Sequence, residues 1–162
     1  MAVVIVHNDI VHATDSGLVL TLVLLDLSAA FDTVGHCILL DMLSSQFGVT
    51  DRAYEWFSSY LTSRTQVIST NTSTSEAVAL TCGVPQGSVV GPQQFTAYTE
   101  DVEKLMESFE VKDHLYADDT QVLTHVRICE VQGCKSNIKR CVLAIQDWCF
   151  KKRLSLTPIR RR

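Results

Sequence analysis

The chain predicts an α+β fold, a mainly antiparallel sheet packed on helices. Three observations carry that expectation. The aliphatic run Leu20–Leu27, closing on Asp26 and Leu27, has strand length and is too short to span a membrane. Two further regions each contain a pair of short β-prone segments separated by turn residues. The segments between them place apolar residues at helical spacing, so strands and helices alternate without the regular βαβ repeat of a parallel sheet. With 162 residues and 46% hydrophobic content, the chain can bury one substantial core.

In chain order, Leu20–Leu27 reads as a central strand buried on both faces. Ile38–Phe47 reads as a helix stopped by Gly48, and Thr50 is placed to cap the next one. That next helix aligns Ala53, Trp56, Phe57, Tyr60 and Leu61 on one face. Gln66–Thr70 and Ala77–Cys82 read as strands joined by the polar loop Asn71–Ser75. Gly83–Gly91, with Pro85 and Gly87 inside it and Pro92 after it, is irregular. Phe95, Tyr98, Val102, Leu105, Met106 and Phe109 recur as one helix. Lys112–Ala117 and Thr120–Val126 are strands flanking Asp118-Asp119, and Val131–Phe150 is a long helix.

Charge is uneven. Residues 1–126 hold 16 of the 18 acidic and 4 of the 14 basic side chains, and residues 127–162 hold the other 2 and 10. The first part is therefore at −12 and the second at +8, which points the C-terminal segment toward a polyanion or simply toward solvent. Met1–Asp15 has neither the basic region nor the cleavage site of a secretory signal. The six cysteines contain no CxxC pair, so they read as reduced thiols, and the location as intracellular, nuclear or cytoplasmic, not secreted. His125, Cys129 and Cys134 fit no zinc-ligand spacing.

Three carboxylates stand out as candidate chemistry. Asp26 lies in an otherwise aliphatic strand, and Asp118 and Asp119 are adjacent at a hairpin turn. An adjacent pair by itself is more often a plain turn. Clustered carboxylates repel unless a cation lies between them, and hard divalent ions take such oxygen ligands together with substrate phosphates. Two ions can then hold the attacking and leaving oxygens of a phosphoryl transfer. A phosphatase with Asp26 as nucleophile is disfavoured, because Ser28 occupies the place where a second Asp is wanted.

The segments taken together say more. Leu24-Leu25-Asp26-Leu27-Ser28-Ala29-Ala30-Phe31-Asp32-Thr33-Val34 resembles the first catalytic motif of reverse transcriptases of the non-LTR (LINE-type) retrotransposon kind. Gly83-Val84-Pro85-Gln86-Gly87-Ser88-Val89-Val90-Gly91-Pro92 is similar to their next motif, and Tyr116-Ala117-Asp118-Asp119-Thr120 to their third. The order agrees, with 92 residues from Asp26 to Asp118, and Trp56-Phe57-Ser58-Ser59-Tyr60-Leu61 followed by Arg64-Thr65-Gln66 also matches.

This resemblance implies a polymerase palm that transfers dNTPs onto a DNA primer along an RNA template, with two Mg²⁺ (or Mn²⁺) ions and no membrane. Asp26 and Asp118 would bridge the metals, with Asp119 a supporting acid. Phe31 would be the steric gate against a ribose hydroxyl. Gln86 would contact the incoming nucleotide or template, and Gly87 would let the backbone approach the duplex. Tyr116 would pack near the primer terminus, with the small Ala117 beside it. The resemblance also implies that residues 1–162 form a single partial domain: basic finger strands before Val4, a helical thumb after Arg162 and an endonuclease are missing. The expectation is a chain inactive by itself, or a dead remnant that binds nucleic acid or a protein partner.

The chain departs from the family pattern in two places. Gln93 and Gln94 stand where two apolar residues are usual. Buried without partners, each would cost roughly 1–3 kcal/mol. Leu154–Arg160 resembles the fourth motif, but Thr157, Ile159 and Arg160 replace its usual Asn, Asp and Lys.

Overall fold

The computed structural model describes residues 2–117 and 119–157; Asp118 and the tail Pro158–Arg162, including Ile159 and Arg160, lie outside them. In chain order the elements are α1 (Ala2–Asp15), β1 (Val19–Ser28), α2 (Ala30–Thr33), α3 (His36–Ser45), α4 (Asp51–Leu61), β2 (Arg64–Gln66) and β3 (Val78–Leu80). There follow α5 (Gly91–Thr99), α6 (Asp101–Glu107), β4 (Lys112–Tyr116), β5 (Asp119–Val126), α7 (Val131–Lys151) and β6 (Ser155–Leu156). They form two compact units, Met1–Ser28 with Thr99–Arg162, and Ala29–Tyr98.

The first unit is built on a four-stranded antiparallel sheet in the order β4-β5-β1-β6. The α+β expectation with a mainly antiparallel sheet therefore holds. β1 and β5 pair from Val19↔Val126 to Asp26↔Asp119, and β4 adds Tyr116↔Asp119. Directly paired side chains share a face of the sheet. One face carries Leu25, Leu27, Thr120 and Val122, buried with Val102, Ile145 and Cys149 of α6 and α7. The other face carries Lys112, His114 and Tyr116 of β4, Gln121 and Asp119 of β5, and Leu24 and Asp26 of β1.

Only part of that second face is covered. Asp9 of α1 accepts hydrogen bonds from Lys112 Nζ at 2.6 Å and His114 Nε2 at 3.1 Å. The Lys112 bond, with that of His114, holds the Asp9 carboxyl below its ordinary range. Toward the other end Leu24 is 63% exposed. β1 is thus not buried on both faces, as its aliphatic run suggests: from Leu24 to Leu27 it alternates, with Leu25 and Leu27 inward and Leu24 and Asp26 outward. The run reads as uniform only because both faces were given leucines.

Beneath the inner face, Asp101 ties α6 to α7. It accepts from Trp148 Nε1 at 3.0 Å and pairs with the buried Lys152 at 2.9 Å. The helix expected through Phe95–Phe109 is present as α5 and α6, separated at Glu100, which keeps helical angles.

The second unit holds α2–α4, the two-stranded β2–β3 sheet and most of α5. The strand expected at Gln66–Thr70 is displaced: β2 covers Arg64–Gln66 and shares only Gln66 with it, while the one at Ala77–Cys82 shortens to β3. Hydroxyls intercept the ladder between them: Ser75 Oγ accepts Ile68 N–H at 2.9 Å, and Thr70 bonds Ser73. On α4 the expected aromatic face forms, with Trp56 stacked on Tyr60 at 5.2 Å and edge-on to Phe57 at 5.0 Å. Of that face only Leu61 is fully buried. Thr50 takes the N-cap position of α4, but its hydroxyl bonds Asp51 rather than the helix backbone.

Candidate active site

The exposed end of the β1–β5 pair collects acids. Asp26 and Asp119 are the last directly paired residues of this ladder and both side chains are exposed on one face. Asp119 is the first residue of β5, beyond the turn rather than in it, because it pairs with both Tyr116 and Asp26. Tyr116 shares that face and is 66% exposed. Ala117 turns the chain with φ +53°, a left-handed conformation that a Cβ disfavours. The expected approach of Asp118 to Asp26 lies outside the described residues.

Two carboxylates on one face are oxygen donors of the kind Mg²⁺ and Mn²⁺ prefer, and their mutual repulsion is relieved by a cation between them. Among the described residues no three His, Cys, Asp or Glu side chains gather as a metal cluster.

A further partner of Asp26 went unassigned in the sequence. Thr157, just past β6, donates its hydroxyl to Asp26 Oδ2 at 2.7 Å and its backbone N–H to the Asp26 carbonyl at 2.7 Å. Ser28 Oγ lies 2.9 Å from the same hydroxyl. The signal available was the fourth-motif resemblance around Leu154–Arg160, which says nothing about what Thr157 touches.

In the other unit, the segment Phe31–His36 is laced to Cys82–Gln86. Val84 N–H donates to the Phe31 carbonyl and Gly83 N–H to the Val34 carbonyl, both at 2.8 Å. His36 Nε2 lies 2.8 Å from the Gly83 carbonyl. Gly83 has φ +90°, and a Cβ there would stand 3.0 Å from the Asp32 carbonyl oxygen, so the close approach needs glycine.

Pro85–Ser88 closes a turn through a Ser88 N–H to Pro85 carbonyl bond of 3.2 Å. Gly87, at φ +77°, takes its third position, where a type II turn requires positive φ. Gln86 then donates from Nε2 to Asp32 Oδ1 at 3.0 Å. Phe31 is half-buried and stacks on the buried Phe95 with centroids 4.7 Å apart. Beside this loop a cavity of about 270 Å³ is lined by residues that include Asp32, Arg64, Gln66 and Cys82–Pro85. The structure thus joins Phe31, Asp32 and Gln86 in one unit, and Asp26, Tyr116, Ala117 and Asp119 in the other. Gln94, at the start of α5, is 2% exposed, and neither its Oε1 nor its Nε2 has a hydrogen-bond partner among the described residues. Gln93 is exposed, so the expected polar burial holds for one glutamine only.

The paired acids and the laced loop coincide with the span over which this chain is similar to known proteins. The family described as Reverse transcriptase (RNA-dependent DNA polymerase) matches residues 5–158. The chain belongs to that family. Two relatives named RNA-directed DNA polymerase from mobile element jockey are similar to it. The one from Drosophila melanogaster is 32% identical over 76% of this chain, and the one from Drosophila funebris 31% over 82%. The probable RNA-directed DNA polymerase from transposon BS of Drosophila melanogaster is 27% identical over 84%. This reverse transcriptase domain is therefore of the non-LTR retrotransposon kind, and it spans 14–15% of the length of these relatives. No described helix of the domain is long and apolar enough to cross a membrane.

Proposed function

We propose that this chain is the palm of an intracellular RNA-directed DNA polymerase, in which Asp26 and Asp118, supported by Asp119, hold two divalent cations. The observation that carries the reading is the register Asp26↔Asp119, which sets two exposed acids side by side on one sheet face. Asp118 enters by its motif alone. When bound, Mg²⁺ or Mn²⁺ would supply charge stabilisation for an in-line transfer. In that transfer the primer hydroxyl bonds to the nucleotide's α-phosphorus as pyrophosphate leaves. Tyr116 and Ala117 would flank the primer terminus. Phe31, backed by Phe95, would close the space at the sugar 2′ carbon. Gln86, oriented by Asp32, and Gly87 would meet the nucleotide or template.

Primer extension on an RNA template with Mg²⁺ or Mn²⁺ tests this. The expected outcome is little extension by the 162-residue chain, and robust extension when it is joined to the flanking portions of a jockey relative. Asp26→Ala or Asp118→Ala should then cost at least about a hundredfold, since positioning and electrostatics supply most of phosphoryl-transfer catalysis. Extension indifferent to both substitutions would overturn the reading. A second reading, a non-catalytic binder of nucleic acid or a protein partner, is favoured by the exposed Lys135, Lys139 and Arg140 along α7. It predicts salt-sensitive RNA binding with no extension in either setting.

A further inference from the structure

We infer that Thr157 is a positioning residue for Asp26, and that Ser28 orients Thr157 for that task. The inference rests on the proposed role of Asp26 as a cation ligand. A carboxylate in its charged form only accepts hydrogen bonds. The 2.7 Å contact therefore commits the Thr157 proton to Asp26 Oδ2. The Thr157 oxygen is left as an acceptor, so the 2.9 Å contact runs from Ser28 Oγ to Thr157. The result is a directed chain: Ser28 donates to Thr157, and Thr157 donates to Asp26.

The backbone completes the clamp. Thr157 N–H donates to the Asp26 carbonyl at 2.7 Å, just past the pairs Leu27↔Leu156 and Ser28↔Ser155 of β1 and β6. One residue thus grips both the main chain and the side chain of Asp26. This matters because Asp26 is exposed, where burial does little to fix a side chain. With Oδ2 turned to Thr157, the other oxygen, Oδ1, takes no hydrogen bond from a described residue and is the one presented to a cation. Partners that orient metal-binding carboxylates typically change metal affinity 10–100-fold when removed. An exposed clamp belongs at the low end of that range.

The test is Mn²⁺ binding to the 162-residue chain, read by electron paramagnetic resonance of the free ion, alongside thermal unfolding. Thr157→Val keeps the shape and removes the hydroxyl, Thr157→Ser restores it, Ser28→Ala removes the outer donor, and Asp26→Asn removes the ligand. The inference expects Thr157→Val to weaken Mn²⁺ binding about tenfold with little change in Tm. Thr157→Ser should stay within about twofold of the parent, and Ser28→Ala should fall between. If Asp26→Asn loses binding while Thr157→Val binds as the parent does, the positioning role is wrong and the cation reading survives. If Asp26→Asn binds Mn²⁺ undiminished, the role of Asp26 itself fails and this inference with it. Equal losses for Thr157→Val and Thr157→Ser would also overturn it, because the hydroxyl would then not be the working group.

Discussion

The two units hold their candidate residues by different means. In the first, Asp26 and Asp119 close a ladder of eight residue pairs between β1 and β5, so their placement follows from strand register. In the second, Phe31, Asp32 and Gln86 are placed by a few loop hydrogen bonds and by one glycine that permits two backbones to touch. A ladder spreads its demands over many residues, and a slip of one would invert every side chain. A laced loop concentrates them, so single substitutions there should act locally and sharply. Asp26 and Asp119 stand in strand conformation, while Gly83 and Gly87 of the laced loop take positive φ.

Four substitutions probe that difference. The largest effect is expected beneath the sheet. Asp101→Ala removes both the 2.9 Å pair with buried Lys152 and the acceptor for Trp148. It should cost roughly 3 kcal/mol in denaturant unfolding. Hydrogen exchange should rise along α6 and α7, and a loss confined to residues 29–98 would contradict the assignment of this pair to the first unit.

Gly83→Ala and Gln94→Leu form a matched pair in the second unit. The alanine meets the Asp32 backbone at positive φ and should cost about 2 kcal/mol. The leucine replaces a buried, unpartnered amide and should stabilise by about 1–2 kcal/mol. Thermal unfolding that moves the same way for both would show that the loop is not held as described.

The smallest effect concerns pH. Asp113 lies on the inner face of β4, where burial first, and then Glu103, raise its carboxyl above the ordinary value of 3.8. The folded state therefore holds this proton more tightly than the unfolded chain. Asp113 costs stability as pH rises from the ordinary value through its raised folded value, and the cost persists above it. Asp113→Asn should raise stability at neutral pH by less than about 1 kcal/mol, since water screens a half-exposed acid. It should flatten the profile between those two pH values. Asp9, on the opposite face, has the opposite sign: its lowered carboxyl contributes stability above the ordinary value that is lost as pH falls through its lowered folded value.

Much of the molecule is legible in its sequence. An unbroken aliphatic run marks β1, and short-range periodicity marks α3, α4 and α7, because burying one face of a helix forces apolar residues to recur at its period. The motifs around Asp26, Gln86 and Asp119 identify the family, because each combines residue types that a bland turn or core does not need together. α1 gave no such signal. Its Val4, Ile5, Ile10 and Val11 are 40–70% exposed, so no buried stripe organises them.

What only the tertiary structure decided is which groups meet across long separations. Thr157 reaches Asp26 across 131 residues and Gln86 reaches Asp32 across 54. Hydrogen bonds of this kind leave no period in a sequence, since each depends on a single pair of side chains brought together by the pairing of whole strands and loops. The outward turn of Leu24 and Asp26 has the same origin. A run of leucines states that a strand is apolar, and only the helices packed behind it select the face that is buried.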